Sequence, residues 1–173
     1  GVCEAWSEKG LIPAEDMAIL RHARHDITRY EEIFERTRHD MTAFTRSITA
    51  GLGAEGRWIH HGLTSNDVID TAQGLQIAEA ADLLDADLAV LLDVLETRAI
   101  EHKDTIMVGR THGIHAEPTT FGLKLALWVE ELRRGRERLA RAKAEAAVGK
   151  IAGVVGTYAT IPPDIEERVC ERL

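Results

Sequence analysis

Cysteine is nearly absent from this sequence: Cys3 and Cys170 stand near opposite ends, in no CxxC spacing. A disulfide framework is excluded, and two unpaired thiols suit a reducing compartment. Only four prolines and 5% aromatic residues are present, so little interrupts helical stretches. No apolar run reaches the length that spans a bilayer, and the first residues lack a basic segment followed by an apolar one. A cytoplasmic protein without a membrane partner is expected. Basic residues are also in short supply, 21 against 29 acidic, for a formal net charge of -8. With no clustered Lys and Arg, a nucleic-acid partner is excluded. What the chain has in quantity is alanine and leucine within a 45% hydrophobic fraction. That is enough to bury a core and too much for a disordered chain. The expected fold class is all-α.

The first third breaks into short pieces. Pro13 stands where a helix start tolerates a missing N–H, Ile27 to Ala50 is helix-like with an interruption at Thr37–Asp40, and Gly51, Gly53 and Gly56 mark a loop. This region of about 60 residues shows no evident core of its own. From Ser65 to about Lys103 runs one long helical pattern, with Ile77, Ala81, Leu84, Leu88, Leu91 and Leu95 recurring at steps of four and three. A second is expected from Pro118 to about Val148, with Phe121, Leu125, Trp128, Leu132, Leu139, Ala142 and Ala146 as its seam. Leu127 and Val129 widen that face. Helices more than about 40 Å long with faces this wide need further helices beyond each other. The acidic residues Glu79, Asp82, Asp85 and Asp87 and the basic Arg133, Arg134, Arg136, Arg138 and Arg141 read as mainly solvated faces. Asp104 to Glu117 is too polar and glycine-rich for helix, with Ile106–Val108 a brief extended piece. The chain opens at Gly1 and stops at Leu173 within helix-like sequence, so truncation at both ends is expected.

Three polar stretches lie outside the seams: Thr37–Asp40, His60–Asp67 and Gly109–His115. Each holds a histidine beside hydroxyls, an Asp or an Arg, at a helix end or in a loop, where a scaffold positions functional groups. A metal site is rejected, because the histidine spacings offer neither HExxH nor a three-ligand set. The Gly51–Gly56 loop follows no strand and opens no βαβ unit, so a dinucleotide site fails on context. An anion site remains. Thr64 and Ser65 begin a very long helix, where free N–H groups and the dipole favour a carboxylate or phosphate. Ser65 acting only as an N-cap is the alternative. His112 lies in an aperiodic loop after Arg110 and Thr111 and suits proton transfer near neutral pH; a structural loop histidine is the other reading.

These stretches also carry a resemblance. Gly109–Gly122 reads GRTHGIHAEPTTFG, His60 with Gly62–Ala72 reads as HxGLTSNDVIDTA, and Thr37–Phe44 reads TRHDMTAF. Together they resemble the adenylosuccinate lyase family of the fumarase/aspartase superfamily. The resemblance covers nearly the whole chain. It implies a small N-terminal helical domain, residues 1–63, and the first part of a long-helix bundle, residues 64–173. It also implies a homotetramer with active sites shared between subunits, a small anionic substrate and no cofactor. The reaction implied is β-elimination of fumarate from adenylosuccinate, giving AMP, and from the related succinyl-carboxamide ribotide of purine synthesis.

By the same resemblance His112 is the general acid, and His39 helps bind the phosphate or orient the substrate. Arg38 and Asp40 lie near the nucleotide, Thr64 and Ser65 hold a succinyl carboxylate, Thr111 is a further substrate contact, and His60 lines the site. Other fumarate-releasing lyases, such as argininosuccinate lyase, and a non-catalytic helical scaffold are the rival readings. The family's general base is a serine on a loop further along than any matched stretch here. The 173-residue chain alone is therefore expected to release no fumarate from adenylosuccinate; measurable turnover by it would show that loop to be dispensable.

Overall fold

The computed structural model describes residues 1–173 and is predominantly helical. Four short helices open the chain: α1 (Val2–Glu8), α2 (Ala14–Leu20), α3 (Ile27–Thr37) and α4 (Asp40–Thr49). A 3-10 turn (Ala54–Trp58) and the long helix α5 (Ser65–Glu101) follow. Strands β1 (Ile106–Thr111) and β2 (Ile114–Thr120) pair antiparallel, and α6 (Phe121–Ala146) and α7 (Pro163–Cys170) complete the order. The chain divides into two compact units: Gly1–Gln73 with Val148–Leu173, and Gly74–Ala147. This partition by packing groups the last residues with the first, unlike a single cut at residue 63.

In the first unit the ends of the short helices follow from local chemistry. Asp26 caps α3 by accepting from the Arg29 N–H at 3.1 Å, and His39 stands at the cap of α4. Part of the core of the N-terminal helices is supplied from far along the chain. Ala5 packs with Ile151, Ile161, Ile165 and Val169, all buried, and Val2, Trp6 and Leu63 close over them. A neighbouring cluster joins Ile12, Met17 and Leu20 to Trp6, Trp58 and Ile59. Residues 151–169 are thus structural partners of the N-terminal helices.

In the second unit α5 and α6 run antiparallel, as their ion pairs show. Arg133 reaches Glu96 at 2.7 Å, Arg136 forks onto both oxygens of Asp85 at 2.7 Å each, and Lys143 pairs with Asp82. The charge runs expected to be mainly solvated are largely exposed, but Asp82, Asp85, Arg133 and Arg136 among them join the two helices, and the Arg136 fork holds the Asp85 carboxyl below its usual pKa. The seams are also rotated from the sequence-drawn lines. Ala81, Leu92, Leu125 and Val129 are buried, whereas Leu84 is 55% and Leu91 44% exposed, and Ile77 and Trp128 are exposed as well. One neighbour covers only part of each wide apolar face.

The extended piece at Ile106 is longer than expected, and it displaces the start of α6. Pro118 pairs with Val108 in the hairpin instead of opening a helix, as suits an edge strand where no N–H is needed. Thr120 then caps α6, accepting from the Leu123 N–H at 3.2 Å. Gly122 lets α6 approach the end of α5: a Cβ there would lie 2.4 Å from the Ala99 carbonyl oxygen and 2.6 Å from the Lys103 Cα. Gly122→Ala is expected to lower stability by about 2 kcal/mol through backbone displacement. Gly135→Ala, whose Cβ meets only the end of the Arg138 side chain at 3.7 Å, should gain up to about 1 kcal/mol of helix propensity. Urea unfolding of both variants checks the opposite signs.

Candidate active site

The candidate residues fall on three turns. The first separates α3 from α4. Arg38 ends α3 in the left-handed region (φ 51°), and its N–H still donates to the Phe34 carbonyl at 2.8 Å. His39 then accepts the Thr42 N–H on Nδ1 at 3.2 Å, leaving the neutral ring to carry its proton on Nε2. Asp40 accepts the Met41 N–H at 2.6 Å, and the Arg38 guanidinium pairs with Glu35 at 2.8 Å. All three side chains are exposed.

The second turn runs from His60 to Ser65 and leads into α5. His60 is left-handed (φ 68°), Gly62 likewise (φ 78°), and a Cβ at Gly62 would lie 2.8 Å from the Thr160 carbonyl oxygen. The His60 Nε2 is buried and has no hydrogen-bond partner. Burial pushes the pKa of this imidazole down, against a weaker pull upward from its own backbone and the Asp67 charge. Thr64 and Ser65 follow on the same turn. The free N–H groups expected to await an anion are partly engaged: Thr64 donates its own to Asp67 at 2.9 Å. Ser65 does not precede the helix as an N-cap would; it is the first residue of α5, and Thr64 precedes it.

Two residues into α5 beyond Ser65 stands Asp67. It is 1% exposed. Its Oδ1 accepts from the Ala152 N–H at 3.1 Å and lies 2.9 Å from Lys150 Nζ, while Oδ2 accepts from Thr64 and, at 3.2 Å, from the Gly153 N–H. Thr71, one turn on, donates its hydroxyl to the Lys150 carbonyl at 3.1 Å and accepts the Lys150 N–H at 3.0 Å. The signal was present in sequence: Thr64 followed three residues later by Asp67 is a capping box. Lys150 has no such local mark.

The third turn is the tip of the β1–β2 hairpin, in the other unit. Thr111 pairs with Ile114, so His112 and Gly113 form a two-residue loop, with φ 51° and 75°. This is the geometry of a primed turn, which suits the sheet's twist and demands positive φ at both positions. Thr111 and His112 are exposed there. A groove of about 720 Å³ lies along Met107–Arg110, Leu123, Lys124 and Leu127; neither Thr111 nor His112 lines it. No group of three His, Cys, Asp or Glu side chains comes together to hold a metal ion, and no helix is long and apolar enough to cross a membrane.

A family model described as lyase matches residues 1–173. The chain belongs to this lyase family. The lyase chain is 55% identical over 172 residues to the adenylosuccinate lyase of Bacillus subtilis (strain 168), covering 99% of this chain and 40% of that protein. It is 52% identical to the adenylosuccinate lyase of Staphylococcus saprophyticus, again over 99% of the chain and 40% of the relative. In fold it is similar to the crystal structure of a fumarate lyase from Mesorhizobium sp. BNC1, with a TM-score of 0.89 and 28% identity, over 98% of this chain and 42% of that one. The lyase chain thus spans about two-fifths of the length of the relatives it matches.

The Asp67 cluster makes the stability of this lyase depend on acid. Burial alone would raise the pKa, but the bonds from Thr64, Lys150 and Ala152 outweigh it and leave the carboxyl below its usual range. A depressed folded pKa gives stabilisation that is complete above the unfolded value of about 4 and is lost as pH falls through the folded value. Asp67→Asn should therefore cost about 3 kcal/mol at pH 7, and the gap to wild type should narrow on acidification. Urea unfolding of both proteins at a series of pH values measures it; a gap independent of pH would contradict the assignment.

Proposed function

We propose that this lyase chain is part of an adenylosuccinate lyase, which releases fumarate from adenylosuccinate and from the succinyl-carboxamide ribotide of purine synthesis. The observation that carries the reading is the 55% identity to the Bacillus subtilis enzyme across 99% of the chain, with Gly109–Gly122 intact as GRTHGIHAEPTTFG. In the reaction a base removes a proton from the succinyl carbon next to the one that bears nitrogen. The C–N bond breaks, its electron pair stays on nitrogen, and the new C=C bond completes fumarate. His112, exposed on a hairpin tip, suits the acid that protonates the departing nitrogen. In this reading the base is the serine of the family's loop that lies further along than the matched stretches.

Within this reading Arg38, His39 and Asp40 handle the nucleotide and its phosphate, Thr64 and Ser65 hold a succinyl carboxylate, Thr111 is a further substrate contact and His60 is a site-lining residue. Charge that builds on the succinyl carboxylate is met by positioned donors, so the proposed step calls for no cofactor. The apolar residues left exposed on α5 and α6, among them Leu84, Leu91, Leu127 and Trp128, support assembly with further helices. We assign them to a homotetramer with shared active sites, in a cytoplasmic setting, with the bundle domain beginning near Thr64.

The test uses a protein of the relatives' full length that carries this chain. Wild type should release fumarate from adenylosuccinate and not from argininosuccinate. His112→Ala should fold and assemble normally, with turnover lowered at least about a hundredfold. A folded variant with unchanged turnover would sink the acid role and favour a scaffold; preference for argininosuccinate would move the chain to another branch.

A further inference from the structure

The Asp67–Lys150 pair is not accounted for by the reading above, and its placement has an electrostatic consequence for it. Asp67 is buried two residues beyond Ser65, and its carboxylate binds the backbone of Thr64 itself. The N–H groups of Thr64, Ala152 and Gly153 satisfy its oxygens, but dipoles leave its full negative charge in place. A substrate carboxylate held at Thr64 and Ser65 would meet that charge within a few ångströms, where like charges repel strongly. Lys150 supplies the one full positive charge paired with Asp67, its Nζ 2.9 Å from Oδ1. Its side chain is 40% exposed, while that of Asp67 is fully buried, so the ammonium stands on the solvent side of the pair. Thr71 holds the Lys150 backbone by both its N–H and its carbonyl, which fixes the root of that side chain.

We propose that Lys150 and Asp67 are a positioning pair for carboxylate recognition: Asp67 fixes the Thr64 backbone, and Lys150 cancels the Asp67 charge so that Thr64 and Ser65 accept an anion. The inference rests on the reading of Thr64 and Ser65 as the carboxylate-binding residues. It asks nothing of the nucleotide end of the substrate. Loss of Lys150 therefore weakens ligands that occupy the carboxylate end and spares those that do not.

Calorimetric titration of the full-length protein with fumarate and, separately, with AMP distinguishes this role from a merely structural one. Lys150→Met should weaken fumarate about tenfold and leave AMP within about twofold. Lys150→Arg should restore fumarate binding, because charge is what matters. The double variant Asp67→Asn/Lys150→Met should recover most of the loss, since the buried charge leaves with its partner; circular dichroism and AMP binding verify that it folds. Equal weakening of both ligands by Lys150→Met would reveal a structural role and overturn the proposal. So would unchanged fumarate binding, or a folded double variant no better than Lys150→Met. A wild type that binds fumarate but not AMP defeats the adenylosuccinate reading, while the fumarate comparison still decides the pair. A wild type that binds neither defeats both.

Discussion

A single buried carboxylate, on Asp67, joins parts of the first unit that lie about 85 residues apart in sequence. It closes the start of α5 through Thr64 and gathers the backbone of Lys150–Gly153 beside it. Much follows from that junction. Ile151 enters the core against Ala5 because the neighbouring N–H groups are held, and Glu166 on α7 accepts the Ile151 N–H at 2.6 Å from the other side. A carboxylate so deeply placed is stable only because its oxygens accept three N–H bonds and face an ammonium; removal of any donor leaves charge uncompensated where water cannot reach it.

The same junction explains the limits of reading this chain from sequence. Periodicity located α5 and α6 because their apolar residues recur over many turns, a signal that averages out local noise. It placed Ala81 and Leu125 on the buried line but Leu84, Leu91 and Trp128 there as well, and these are exposed. Leu84 and Leu91 belong to the apolar pattern as fully as Leu92 and Val129 do, and only the position of the neighbouring helix decides between them. The start of α6 was misread because Pro118 is as natural in an edge strand as at the first position of a helix. The Thr120 cap and the pairing with Val108 settle it. The core of the N-terminal helices was invisible for a different reason: half of it comes from residues 151–169, and no local pattern announces a partner that distant.

The candidate site was legible in part. The three polar stretches were separable from the scaffold because they interrupt the helical pattern, and their motifs carried the family resemblance that the 52–55% identities bear out. Their local geometry was not. That His39 accepts a backbone N–H on Nδ1, and that His60 buries an unpartnered Nε2, depends on ring orientation, which sequence does not encode in any short window. Lys150 escaped notice because its importance is entirely a matter of what it faces.

Backbone strain gives an independent reason to regard the three turns as more than connections. Only four residues other than glycine have positive φ: Arg38, His60, His112 and Tyr158. Three of them stand among the residues singled out by motif, though neither motif nor composition refers to φ. Each holds a long or ring-bearing side chain where glycine would be less costly, by about 1 kcal/mol or more. At His112 the cost is clearest, because the two-residue turn would accept Asn or Asp readily, and the hairpin gains no packing from an exposed imidazole. A fold under selection for stability alone would place a better turn former there. An exposed imidazole at that position fits the acid role proposed for His112, and the sharp two-residue turn sets it at the hairpin tip.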